Sequence, residues 1–414
     1  MKVDVAVIGG GPAGLSSAHA IRRANPDVTV AVFERSDIRP RGASFGVLPN
    51  GIRALEAIDP ALLVSLQRHH TSPEKARRFD AAGTLVFSTD EGGLSGMSQA
   101  VKPQLNLAWH SLQRELAQAL PQGVLHTQHR FLGYREAADG VQVELATPQG
   151  VRQVSAQLLV GCDGGQSLVR NALLDDGPPN YLGVAIWRAV RPVPADWPID
   201  HGWVSYGALG TSSILTSTLG NGTLAWQAFV PWPADQLGVI GGGRRAYIQE
   251  GEEGQGNQAA GDAGPQRLAR VLACFDAFPD AVKQLIAGTD PAAITEHGQF
   301  ARDAEQCQTY AKGRVALVGD AAHMMTPTLA QGCSQALEDA LELGRAIGCL
   351  GPTPAALAEY EQIRLPMASP VQAASVQLFS DILKGKAKFT SELETNRREG
   401  FLDRLHAPLR PAAA

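Results

Sequence analysis

Gly9-Gly10-Gly11-Pro12-Ala13-Gly14, near the start of the chain, carries glycine at the spacing a dinucleotide diphosphate requires. Gly9 permits a tight turn, Gly11 lets the backbone reach the phosphates, and Gly14 lets a helix pack close on a strand. Glu34 stands twenty residues after Gly14, where a carboxylate can accept hydrogen bonds from ribose hydroxyls. Two later stretches offer related chemistry. GCDGGQSLVR, 161–170, places Asp163 directly after an apolar run and Arg170 a short turn on. Alone it reads better as a strand-turn-helix with a capping aspartate; beside the glycine loop it reads as a second part of one site. GRVALVGDAAHMMTP, 313–327, places Asp320 after another apolar run, where a carboxylate can bond the hydroxyls of an extended cofactor. Pro327 starts a turn, and a helix beginning near Gln331 to Ser334 would aim partial positive charge at the same place. His323, Met324 and Met325 read as packing residues.

These residues need rigid elements behind them. Val3 to Ile8 is a continuous β-branched run of the buried parallel-strand type. A helix over Ala13 to Ala24 and a strand over Val28 to Phe33 complete a β-α-β unit. Further helices are expected from Gly51 to Ile58, Leu107 to Leu120 and Ser334 to Ile347, and through most of Ala355 to His406. Val141 to Leu145, Val154 to Val160 and Val315 to Val318 read as strands. From Tyr181 to Trp232 aromatics cluster in short alternating runs, the pattern of antiparallel strands. Residues 241–265 are polar and glycine-rich and read as a loop.

The bulk composition excludes several classes. At 414 residues, 44% hydrophobic and 19% charged, the chain suits a globular protein of more than one core. A net charge of −5 with no basic run disfavours nucleic acid as a partner. The five cysteines form no CxxC pair, so neither a disulfide framework nor a metal site is expected, and a cytoplasmic setting is. No apolar run reaches membrane-spanning length, and the strand pattern beginning at once leaves no signal peptide.

In order and spacing, the three stretches resemble those of the single-component (class A) FAD-dependent monooxygenases, the family of salicylate hydroxylase, para-hydroxybenzoate hydroxylase and zeaxanthin epoxidase. ERSDIRPRGASFGVLPNGIRALEAI, YLGVAIWRAV and LAEYEQIRLPMA extend the resemblance from Val3 to about Pro370. It implies an α/β fold with an α+β insertion: a Rossmann-like FAD-binding domain (1–68, 101–180 and 296–353), an inserted antiparallel β-sheet substrate domain (69–100 and 181–295), and a C-terminal helical segment (354–414). Gly9, Gly11, Pro12, Ala13, Gly14 and Glu34 would hold the ADP half of FAD, with Arg35, Gly42 and Ala43 along its flank. Asp163 matches a motif tied to both FAD and NAD(P)H. Asp320 would meet the ribityl-pyrophosphate region, and Pro327, Gln331, Gly332, Cys333 and Ser334 would border the isoalloxazine ring. The chain departs from the family at Trp109, where an arginine is frequent, at Ser44, where glycine is frequent, and at Ala330, where the third motif usually has glycine.

The chemistry implied is reduction of FAD by NAD(P)H as a transient co-substrate, followed by O₂ capture as a flavin C4a-hydroperoxide. That species would hydroxylate an aromatic or otherwise unsaturated small molecule. An alkene epoxidase, or a same-fold FAD oxidoreductase that inserts no oxygen, is the alternative. No catalytic side chain is assigned, because the cofactor carries the difficult step. Candidate pocket residues are Arg188, Tyr206, Trp226 and His297. Arg188 could meet an anionic substrate and His297 could deprotonate a phenol, though a structural role suits His297, Tyr206 and Trp226 better. A monomer or homodimer is expected.

Overall fold

A computed structural model of the chain describes residues 1–39, 44–71, 74–89, 103–197, 202–208, 210–240 and 263–386. Strand β1 (Lys2–Ile8), helix α1 (Pro12–Ala24) and strand β2 (Val30–Phe33) form the opening β-α-β unit. Pro12 occupies the first turn of α1, where its missing N–H costs nothing, and the helix ends as Asn25 turns extended ahead of Pro26. Then come β3 (Ser44–Val47), α2 (Pro49–Ile58), α3 (Pro60–Leu66), β4 (Lys75–Phe79), β5 (Leu85–Ser88), β6 (Leu105–Ala108) and α4 (Trp109–Ala119). The helix expected from Leu107 begins two residues later. Asn106 exchanges both backbone hydrogen bonds with Thr71 and donates its side chain to Ser217. Those tertiary bonds hold the chain extended where local periodicity favours a helix.

β7 (Leu125–His126), β8 (Arg130–Ala137), β9 (Gly140–Thr147), β10 (Gly150–Gly161) and α5 (Leu168–Leu174) follow. Next are β11 (Asn180–Pro192), β12 (Gly202–Gly207), β13 (Ser213–Leu219), β14 (Thr223–Pro231), α6 (Ala263–Cys274), α7 (Asp280–Ala287) and β15 (Thr295–Ala301). The chain then makes β16 (Ala311–Lys312), β17 (Val315–Leu317), α8 (Asp320–His323), α9 (Gly332–Leu350) and α10 (Pro354–Leu383).

The first sheet runs β16-β17-β10-β1-β2-β7, with β9 and β8 continuing beside the first half of β10. β17, β10, β1, β2 and β7 are mutually parallel. Ile8 lies opposite Gly161, and Gly161 opposite Leu317. All three motif turns therefore leave the sheet side by side at its carboxyl edge, where open α/β sheets bind ligands. Helix α9 seats on α1 through glycine: a Cβ at Gly344 would fall 2.7 Å from Ala20, and one at Gly348 2.9 Å from Ala24.

The second sheet runs β15-β11-β14-β13-β12-β4-β5 and is antiparallel except where β4 meets β12. Side chains alternate between its faces. Ala185, Trp187 and Ala189 join Val204, Tyr206 and Trp226 in a core shared with α6 and α7. Val184 and Ile186 point the other way, onto Phe379 of α10. α10 also packs Val371 against Leu48, Met325 and Leu329, so one helix braces both sheets.

Candidate active site

The glycine loop, the Asp163 turn and the Asp320 turn touch one another. A Cβ on Gly319 would sit 3.1 Å from that of Ala13, and one on Gly165 would strike the Met324 sulfur at 2.3 Å. Gly319, at φ +64°, is free of the penalty that any side chain would carry there. α2 reaches the same place from the N-terminal side. Gly51 lies against Ser334, whose Oγ accepts the Leu48 N–H at 3.1 Å, and Asn50 Nδ2 donates to Gln331 Oε1 at 3.0 Å.

The glycines of the first loop are not equivalent. A Cβ at Gly9 would lie 2.3 Å from the Cys162 carbonyl oxygen, and one at Gly14 2.0 Å from that of Gly9. Close packing explains both. At Gly11 a Cβ would meet only Cζ2 of Trp109, at an ordinary 3.8 Å, and φ is an unremarkable −79°. Among the described residues nothing demands glycine at this position. A ligand pressed against the backbone would. Gly11 also caps α1 without a side-chain bond, leaving the first-turn N–H groups for an anion. Glu34 lies alongside, its carboxylate accepting from the N–H of Gly10 at 2.7 Å and from Ser36 N–H and Oγ at 3.0 and 2.8 Å. A nucleotide diphosphate with its ribose fits this cradle. Arg35 is exposed on the flank, and Gly42 and Ala43 lie outside the described residues.

Asp163 accepts hydrogen bonds from the N–H groups of Leu168 and Val169, at 2.8 and 3.2 Å, and from the Ser167 hydroxyl. Its carboxylate thus caps α5, although burial raises its pKa. Arg170 is wholly buried and bonds Asp176 and the carbonyls of Ala321 and Ala322 at 3.0 and 2.9 Å. It ties the second turn to the third and is not directed at the glycine loop.

Asp320 is exposed to solvent yet crowded by protein, as a carboxylate at the floor of a cleft is. The crowding raises its pKa, while the charges of His323 and Arg188 pull it back. Cys333, at the start of α9, is pushed up to about 12 by burial and by Asp320, so its thiol is neutral. Gly332 borders Asp320, Gln331 and Ser334 are buried behind it, and Pro327 is exposed on the rim.

Behind this floor runs a buried polar chain that the sequence reading did not isolate. Asp339 accepts from Gly319 N–H at 2.9 Å, His323 Nε2 at 2.7 Å and Arg364 Nε at 2.7 Å. Arg364 reaches Gln335 Oε1 at 2.7 Å, Gln335 Nε2 donates to Gln331 Oε1 at 2.9 Å, and Gln331 meets Asn50. Burial pushes Asp339 up, but His323 and Arg364 outweigh it and hold the carboxyl at about 2. His323, Gln331 and the LAEYEQIRLPMA stretch, which contains Arg364, stand out in the sequence separately, but nothing there joins them into one network.

Of the four pocket candidates, the structure brings two together. Arg188 Nη2 lies 2.5 Å from His297 Nε2, diagonally across β11 and β15. A guanidinium only donates, so Nε2 accepts and Nδ1 carries the hydrogen, facing the Gly298 carbonyl at 2.9 Å. Burial, then the Arg188 charge, lowers the His297 pKa to about 3. His297 is thus a weak base whose acceptor nitrogen is already engaged by Arg188, which favours the structural role for it. Trp226 and Tyr206 lie in the core on the opposite face of the sheet. Trp226 is fully buried with Nε1 bonded to Thr289, and Tyr206 stacks on Phe79. Their place as packing residues follows from strand alternation, and they line no pocket with Arg188. Among the described residues no group of three or more His, Cys, Asp or Glu could hold a metal, and no helix is long and apolar enough to cross a membrane.

A model of the FAD binding domain family matches residues 2–178 and 278–375. The chain belongs to that family. It is 28% identical to aurachin C monooxygenase/isomerase of Stigmatella aurantiaca, over 91% of this chain and 88% of that protein. It is 30% identical to 3-amino-4-hydroxybenzoate 2-monooxygenase PtmB3 of Streptomyces platensis, over 90% of this chain and 86% of the relative. The fold matches that of HpxO from Klebsiella pneumoniae, solved with FAD and uric acid, at a TM-score of 0.76 and 22% identity across 97% of each chain. The chain is an FAD-dependent monooxygenase.

Proposed function

We propose that this flavoprotein monooxygenase takes electrons from NAD(P)H and hydroxylates an aromatic small molecule with O₂. The observation that carries the cofactor side is Gly11, whose missing side chain no described residue requires and a bound ligand would explain. Bound FAD would supply electron transfer and oxygen activation. Gly9, Gly11, Pro12, Ala13, Gly14 and Glu34 hold its ADP half, with Arg35, Gly42 and Ala43 at the flank. Asp163 shapes the second turn through the helix it caps. Asp320 faces the ribityl chain. Pro327 and Gln331 to Ser334 border the ring, where the N-terminus of α9 stabilises negative charge without a cationic side chain.

The protein's remaining task is to orient the substrate and exclude water. Arg188, held by His297 and acting electrostatically on Asp320, suits a substrate carrying an anionic group. The relative acting on 3-amino-4-hydroxybenzoate supports an electron-rich acidic aromatic as the substrate class. The two sheets support the division into an FAD-binding domain (1–68, 101–180, 296–353) and a substrate domain (69–100, 181–295), and α10 supports a C-terminal helical segment from 354, whose residues beyond 386 lie outside the described ones.

The test is a visible spectrum followed by NADH and NADPH oxidation with hydroxylated and amino-substituted benzoates. A yellow protein whose nicotinamide oxidation rises with one aromatic acid, with oxygen appearing in the product, is expected. A protein colourless after FAD is added removes the reading. A yellow protein that ignores both nicotinamides leaves FAD but removes the proposed reductant.

A further inference from the structure

Helix α4 is docked on the glycine loop by Gln113, a buried side chain whose Nε2 donates to the Gly10 carbonyl at 2.7 Å. Trp109 lies one turn earlier on the same helix face. Among the described residues its Cζ2 is the one atom outside the immediate chain that a Cβ on Gly11 would meet within 4 Å. In an indole, Cζ2 and Nε1 are both bonded to Cε2. The N–H is therefore two bonds from the ring atom nearest Gly11. The ring is only partly buried, and among the described residues the indole N–H has no acceptor. Ala108, the residue capping α4, makes no side-chain bond to the first-turn N–H groups beside the ring.

We propose that Trp109 is a side wall of the diphosphate site, standing beside Gly11 and meeting FAD through its ring edge and a single N–H donor. The inference rests on the cofactor reading above. It makes this wall uncharged, so the diphosphate is held here by backbone dipoles and a neutral donor. ADP carries the same diphosphate without a flavin and should feel the same wall.

The experiment labels the protein, freed of FAD, with 5-fluorotryptophan, which gives a separate fluorine resonance for each of the six tryptophans. The resonance missing from Trp109→Phe identifies the residue. Added ADP should shift that resonance and leave those of Trp187 and Trp226 in place. Trp109→Ala should weaken FAD and ADP alike by about tenfold or more, with the melting temperature of the FAD-free protein unchanged. Trp109→Arg should tighten both severalfold at low salt and steepen the loss of binding as salt is raised. A Trp109 resonance indifferent to ADP, or wild-type ADP affinity in Trp109→Ala, overturns the inference while leaving FAD binding intact. A wild-type protein that takes up neither ligand overturns the cofactor reading and this inference with it.

Discussion

Replacing Gly11 with alanine separates what the fold needs from what the cofactor needs. At φ −79° alanine is as comfortable as glycine, and its methyl would rest 3.8 Å from the Trp109 ring. The FAD-free protein should therefore melt at or slightly above the wild-type temperature, because alanine restricts the unfolded chain. The diphosphate meets the new methyl directly. Overpacking of one carbon costs roughly 1–3 kcal/mol, which weakens FAD binding by about 5- to 150-fold. Gly9→Ala and Gly14→Ala are the controls. Their methyls would lie 2.3 and 2.0 Å from backbone oxygen atoms, so the fold itself must give way. Thermal melts of the FAD-free proteins beside fluorescence titrations with FAD read both quantities. Wild-type FAD affinity in Gly11→Ala, or a melt as depressed as that of Gly14→Ala, would refute the argument.

Three further outcomes follow from the same geometry. Ala330 sits at φ +51°, a left-handed position that strains any residue with a Cβ. Ala330→Gly should raise stability by about 0.5–1 kcal/mol in urea titrations, and a loss would contradict the strain. Arg364→Met leaves Asp339 with only His323 and the Gly319 N–H, which should cost about 3–5 kcal/mol. Because Asp339 titrates near 2, below the usual carboxylate value, its contribution is complete above about pH 4 and fades as pH falls toward 2. In Arg364→Met that acid limb should move to higher pH. His297, lowered to about 3, binds a proton in the unfolded chain that it refuses in the folded protein between 3 and 6.5. Stability should thus rise with pH across that window, and His297→Gln should flatten the rise between pH 5 and 6.5 in urea titrations. An unchanged slope would mean that His297 is not held neutral.

The opening β-α-β unit was legible because its signals are local. Val3 to Ile8 is uniformly apolar, the glycine spacing is fixed, and Pro12 marks a first turn. The antiparallel run from Tyr181 to Trp232 was legible through its alternation, and the same alternation assigns Trp226 to the core face and Arg188 to the other. What stayed hidden depends on partners distant in sequence. The pairing of β4 with β12 joins residues more than a hundred positions apart, and Asn106 is held extended by Thr71 and Ser217. In the chain of Asn50, Gln331, Gln335, Arg364 and Asp339, three members recur every four residues at the start of α9, but Asn50 and Arg364 join them from distant elements. Asp163 matched a cofactor motif, yet its hydrogen bonds are those of a helix cap, a distinction only coordinates can draw.

The bond between the Leu48 N–H and the Ser334 hydroxyl spans 286 residues. On the ribosome, at roughly 5–20 residues per second, the later partner emerges some 15 to 60 s after the earlier one. Through that interval β10 lacks β17 on one side, and α1 lacks the α9 surface that its Ala20 and Ala24 will meet. A nascent chain of this architecture must keep apolar surface apart until its last third arrives. Coenzyme capture is therefore a late event in its biogenesis, and truncation before residue 350 should leave an aggregating fragment rather than a smaller binding protein.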